Sequence, residues 1–110
     1  MRRKGYLGEF EQLVLLAILR LKGEAFGPDI SSELEERAGR RVSRGALYAT
    51  LDRLQGKGFL EWTESDGTAE RSGQPLRLFR VTADGLGALR ASRRAVRRLE
   101  AGLEELLREG

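Results

Sequence analysis

The 110 residues predict a mainly α-helical chain with one small β-hairpin, and three patterns predict it. Apolar residues recur at helical spacing over 9–22, 27–38 and 43–57. The spacing turns to alternation after Gly58 and again over 76–82. A long, charged helical stretch then closes the chain. The organisation expected is residues 1–82 as the body and 83–110 as a C-terminal dimerisation helix. A core this small favours completion by a second subunit.

Residues 1–8 read as a basic arm with Arg2, Arg3 and Lys4. In the helix over 9–22, Phe10, Leu13, Val14, Ala17, Ile18 and Leu21 make one core-facing stripe. Leu15, Leu16 and Leu19 add apolar surface outside it and are assigned to a second subunit's helix. Gly27-Pro28-Asp29 starts the next helix, because Pro is tolerated in a first turn and Asp complements the positive helix end. Ile30, Leu34 and Ala38 are its expected core contacts, and Gly39 ends it. Arg40-Arg41-Val42 leads into Ser43, an N-cap whose hydroxyl accepts from a free first-turn N–H. In the helix that follows, Ala46, Leu47, Thr50, Leu51 and Leu54 are expected to face the core. Ser43, Arg44, Gly45, Tyr48, Ala49, Asp52 and Arg53 lie on or beside the other face, and Gly58 is the stop. Two helices joined by a short turn, the second with exposed polar residues, make a helix-turn-helix.

Residues 59–64 read as a strand with Leu60 and Trp62 on one side. Its partner over 76–82 turns Phe79 and Val81 to the core, leaving Arg77 on that side near the strand end. The connection between them, Ser65 to Pro75, is turn-rich and carries Arg71, within reach of phosphate or a minor groove. A hairpin after a helix-turn-helix is a wing, so the full expectation is a winged helix-turn-helix with a long C-terminal helix. That last helix is expected over 83–108, capped by Thr82 or Asp84. Leu89, Val96 and Leu103 repeat every seven residues, with Ser92, Leu99 and Leu106 as companions, a short heptad seam. Arg90, Arg93, Arg94, Arg97 and Arg98 form a solvated basic face.

Composition narrows the function. There is no Cys and no His, which removes disulfides, thiolate zinc sites, cysteine nucleophiles and His-based triads. No acid pair or Gly-rich phosphate loop stands out, so no enzyme and no cofactor is expected. The longest apolar run, Leu13 to Leu19, is far short of the ~18 residues of a membrane span, and a cytoplasmic, membrane-free protein is expected. Net charge is only +3, but Arg37 to Lys57 holds six cations against one acid, Asp52. That concentration points to double-stranded DNA. Arg44, one residue past the cap, suits a guanine edge or a phosphate. Gly45 lets a backbone approach closely, and Tyr48 can donate to phosphate. Arg40, Arg41, Arg53 and Lys57 add salt-sensitive attraction. The rival reading is a winged-helix module for protein contacts, with Tyr48 packed on a neighbour.

Taken together, these segments resemble the PadR family of transcriptional regulators, in its shorter subgroup with one C-terminal helix. The resemblance spans Leu7 to Leu106. It is carried by residues 7–19 (LGEFEQLVLLAIL), by Val42 to Leu60 and by Leu78-Phe79-Arg80-Val81-Thr82-Ala83-Asp84-Gly85. Gly45-Ala46-Leu47-Tyr48, then Leu51, Arg53-Leu54 and Gly58, is similar to the family's recognition-helix pattern. The resemblance implies a bacterial or archaeal homodimeric repressor, with Ser43 to Gly45 and Tyr48 on operator DNA. It also implies that some members take flat aromatic or cationic amphiphilic effectors between subunits. Ala49 departs from the Pro often found after that Tyr, and Ala46 from a frequent hydroxyl or amide residue. Trp62, on the first wing strand, is assigned to packing rather than to an effector clamp.

Overall fold

The computed structural model describes residues 7–65 and 76–109. Arg71 and the basic arm at Arg2, Arg3 and Lys4 lie outside the described residues. The order is α1 (Glu9–Arg20), β1 (Glu24–Phe26), α2 (Gly27–Ala38), α3 (Arg44–Gly56), β2 (Leu60–Glu64), β3 (Arg77–Val81), α4 (Ala83–Glu100) and α5 (Glu104–Leu107). This is the expected winged helix-turn-helix, with one strand more than the hairpin. The sheet is antiparallel in the order β1-β3-β2, with Ala25 and Trp62 both opposite Phe79.

The core is built where the helices meet β3. Val14, Leu15 and Ile18 of α1, Ile30 and Leu34 of α2, and Leu47, Leu51 and Leu54 of α3 are buried around Phe79. The start of α4 belongs to the same core, since Gly85, Ala88, Leu89 and Ser92 are buried. Ser92 Oγ accepts from the Leu7 N–H at 2.8 Å, which joins the two ends of the described body. Among the described residues no helix is long and apolar enough to cross a membrane.

Several expectations are corrected. Leu15 and Leu89, assigned to a second subunit, are core residues of the protomer, 0% and 3% exposed. The apolar stripe of α1 is rotated from the one expected, because α1 packs against both the sheet and α2. Ala46 and Ala38, expected inside, are exposed. The final helix is not continuous to residue 108. It stops at Glu100, the Ala101 backbone is extended, and Gly102 takes φ +88, a left-handed conformation that glycine adopts without steric cost. The expected heptad seam is therefore interrupted between Leu99 and Leu103.

Candidate nucleic-acid interface

The start of α3 is built by its cap. Ser43 is extended, and its Oγ accepts from the Ala46 N–H at 3.1 Å, satisfying one of the orphan donors of the first turn. Arg44 and Gly45 follow, both exposed. Arg44 lies over the Tyr48 ring at 5.1 Å and, among the described residues, has no ion pair. At Gly45 a Cβ would meet nothing within 4 Å, so packing in the protomer does not demand glycine there.

Tyr48 is half-buried rather than free on the outer face. Its ring meets Phe79 edge-on at 6.1 Å, and its hydroxyl occupies the space a Cβ on Gly27 would take. A cleft thus opens between the starts of α2 and α3, lined by Gly27, Pro28, Ser31, Arg44, Leu47 and Tyr48. Free first-turn N–H groups, a phenol and a guanidinium suit an anion such as phosphate.

Four of the other predicted cations, Arg40, Arg41, Arg53 and Lys57, are engaged within the protein. Arg40 pairs with Glu9 at 2.8 Å and lies over the Phe10 ring at 5.6 Å, while Arg41 pairs with Glu35 at 3.1 Å. Arg53 and Lys57 both reach Glu11 Oε2, at 3.2 and 3.0 Å. Glu11 Oε1 accepts from the Gly8 N–H at 3.0 Å. Burial pushes the Glu11 carboxyl up, but the bonds from Gly8, Lys57 and Arg53 and the charge of Lys57 outweigh it and hold the group below its ordinary value. All four cations keep substantial exposure, so each retains a face toward solvent.

Sequence reasoning missed two members of this surface. Arg77 lies over the Trp62 ring at 4.8 Å and the Tyr48 ring at 5.9 Å, and it pairs with Asp52 at 3.0 Å. Trp62 is 37% exposed, so its role is not core packing but a platform under Arg77. Alternation placed each residue on a side of its own strand, but only the register, with Trp62 opposite Phe79 and Glu64 opposite Arg77, puts the two on one face.

The family model for the transcriptional regulator PadR-like family matches residues 15–91, from the middle of α1 to the core-embedded start of α4. The chain belongs to this family. This PadR-like chain is 42% identical over 88 residues to the transcriptional regulator Rv3488 of Mycobacterium tuberculosis (strain ATCC 25618 / H37Rv), covering 78% of this chain and 69% of that protein. Its fold is similar to the crystal structure of a PadR family transcriptional regulator from Eggerthella lenta DSM 2243. That likeness has a TM-score of 0.70 and 26% identity, and covers 93% of this chain and 88% of that one. It is also similar to F93 from STIV, a winged-helix DNA-binding protein, with a TM-score of 0.63 over 86% of this chain and 91% of that one. At 17% identity that likeness concerns the fold alone. The PadR-like family is one of transcriptional regulators rather than of enzymes.

Proposed function

We propose that this PadR-like regulator is a homodimeric, sequence-specific repressor acting in the cytoplasm, with residues 43–57 of each protomer in a major groove of operator DNA. The observation that carries the reading is the start of α3. Its capped first turn presents Arg44 without an acidic partner among the described residues, beside a Gly45 that packing among them does not require. The N-terminal end of a recognition helix is the part that reaches base edges, and an Arg there pairs with guanine O6 and N7. Ser43 and the cleft beside Tyr48 suit a phosphate. Arg40, Arg41, Arg53, Lys57 and Arg71 contribute sequence-independent attraction.

Residues 83–110 are proposed as the dimerisation segment, together with Leu16 and Leu19 of α1. Val96, Leu99, Leu103 and Leu106 are large apolar residues left exposed on the tail, which supports this. A hydrophobic or aromatic effector in the apolar space between protomers is the proposed means of relief.

Selection of bound duplexes from a random pool tests the reading. The expected result is a pseudo-palindromic site with half-sites about one helical turn or a multiple apart. Arg44→Ala and Tyr48→Ala should each weaken binding to that site about tenfold or more, with the fold retained by circular dichroism. Equal affinity for the wild type and both variants overturns this assignment. Binding with no salt dependence would favour the protein-contact module instead.

A further inference from the structure

Arg44, Tyr48 and Asp52 are four residues apart and share one stripe of α3. Arg77, from the first residue of β3, lies across that stripe. Its guanidinium is over the rings of Tyr48 and Trp62, and its Nη1 donates to Asp52 Oδ1 at 3.0 Å. Stacking uses the faces of a guanidinium and leaves the N–H donors on its edge for an acceptor in its plane. In the free protein that acceptor is a carboxylate. A phosphate presents a similar pair of oxygens in the same plane.

Asp52 is otherwise out of place. It is the single acid in the basic stretch from Arg37 to Lys57, on the helix face proposed above to meet polyanionic DNA. An exposed ion pair contributes little to stability, so stability does not explain an acid at that position. Side-chain exposures of 40% for Arg77 and 58% for Asp52 put this pair in that class. Arg80, on the same strand, offers a contrast. It faces the other side of the sheet, between Glu61 at 3.2 Å and Glu24 at 3.9 Å, and among the described residues it makes no ring contact.

We propose that Arg77 is a phosphate-binding residue of the wing base, oriented by Trp62 and Tyr48, and that Asp52 is an internal phosphate mimic displaced when duplex binds. The inference deepens the DNA reading of the α3 face and rests on it. It joins the sheet to the recognition helix in a single contact surface.

The test uses the full chain and two fluorescein-labelled duplexes, the selected operator and a scrambled sequence of equal length. Arg77→Ala should weaken both by about tenfold and lower the slope of log affinity against log salt by about one. Arg77→Lys should restore the slope, because the charge is kept while the planar fork is lost. Arg80→Ala should leave affinity and slope unchanged. The emission of Trp62, the sole Trp, should change saturably with added duplex. A wild type that binds neither duplex overturns the DNA reading, and this inference with it. A wild type that binds, with Arg77→Ala binding as well, overturns this inference alone. So does a loss confined to the operator, an equal loss in Arg80→Ala, or a Trp62 emission that duplex leaves unchanged.

Discussion

Glu11 ties three parts of the chain through one carboxylate. It accepts from the Gly8 N–H before α1 and from Arg53 and Lys57 at the far end of α3. Its side chain is only 10% exposed. The folded group sits below its ordinary value, so it contributes stability that is complete above the unfolded carboxylate range and is lost as pH falls through the folded value. Glu11→Gln should therefore be less stable than the wild type at neutral pH, by about 1–3 kcal/mol, and should lose less on acidification between about pH 5 and 3. Urea unfolding across that range measures both, and parallel acid profiles for the two chains would refute the role. Residue-level reading of the sequence did not find Glu11. An acid beside an apolar stripe reads as solvent-facing, and its partners are 42 and 46 residues away. The same blindness counted Arg53 and Lys57 simply as cations for DNA. By contrast the Ser43 cap was legible, because capping is decided within four residues.

At the level of elements, the junction of β3 with α4 shows how tightly the tail is seated. The Thr82 hydroxyl caps α4 by accepting from the Gly85 N–H at 3.0 Å and donates to the Gly58 carbonyl at 2.7 Å. A Cβ on Gly85 would overlap the Phe59 carbonyl oxygen, a backbone atom that cannot rotate away. Gly85→Ala should thus cost about 1–3 kcal/mol even though alanine favours helix. Gly87→Ala, with nothing within 4 Å, should be neutral or stabilising. Thermal unfolding of the two variants checks the contrast, and equal shifts would sink it. From the sequence alone both glycines count only as weak helix formers, since their difference lies in what packs against them. Sequence reasoning located α1, α2 and α3 to within one or two residues, where periodicity and breakers agree. It missed β1, whose three residues are too few to show a period and whose partner strand lies more than fifty residues downstream. It missed the break at Gly102 because the leucine repeat runs through it.

For the whole molecule, the radius of gyration of 15.6 Å exceeds the ~13 Å expected of a compact chain this long. The ends of α4 and α5 lie outside the core, with Leu99 and Leu106 each 81% exposed. Leu99 is exposed and outside the core cluster, so if the proposed dimer uses it, Leu99→Asp should leave the protomer folded while halving the mass in solution. Sedimentation measures the mass and far-UV circular dichroism the fold; an unchanged dimer mass would remove Leu99 from the interface. The winged architecture was legible because α1, α2, α3 and the β2–β3 hairpin each carried their own signal, although β1 did not. The site was legible in its α3 half and not in its β3 half, where Arg77 acquires its meaning only from Trp62, Tyr48 and Asp52.

The bond from the Leu7 N–H to Ser92 Oγ has a mechanical consequence. With Thr82 fastened to Gly58, α4 is moored twice, at the head of α1 and at the foot of α3. Residue 82 is therefore a seam in composition and not a hinge. A turn of α4 about its own axis would have to break or drag both moorings, so up to Ser92 this helix is tied to α1 and α3, while the stretch beyond the Gly102 break is not.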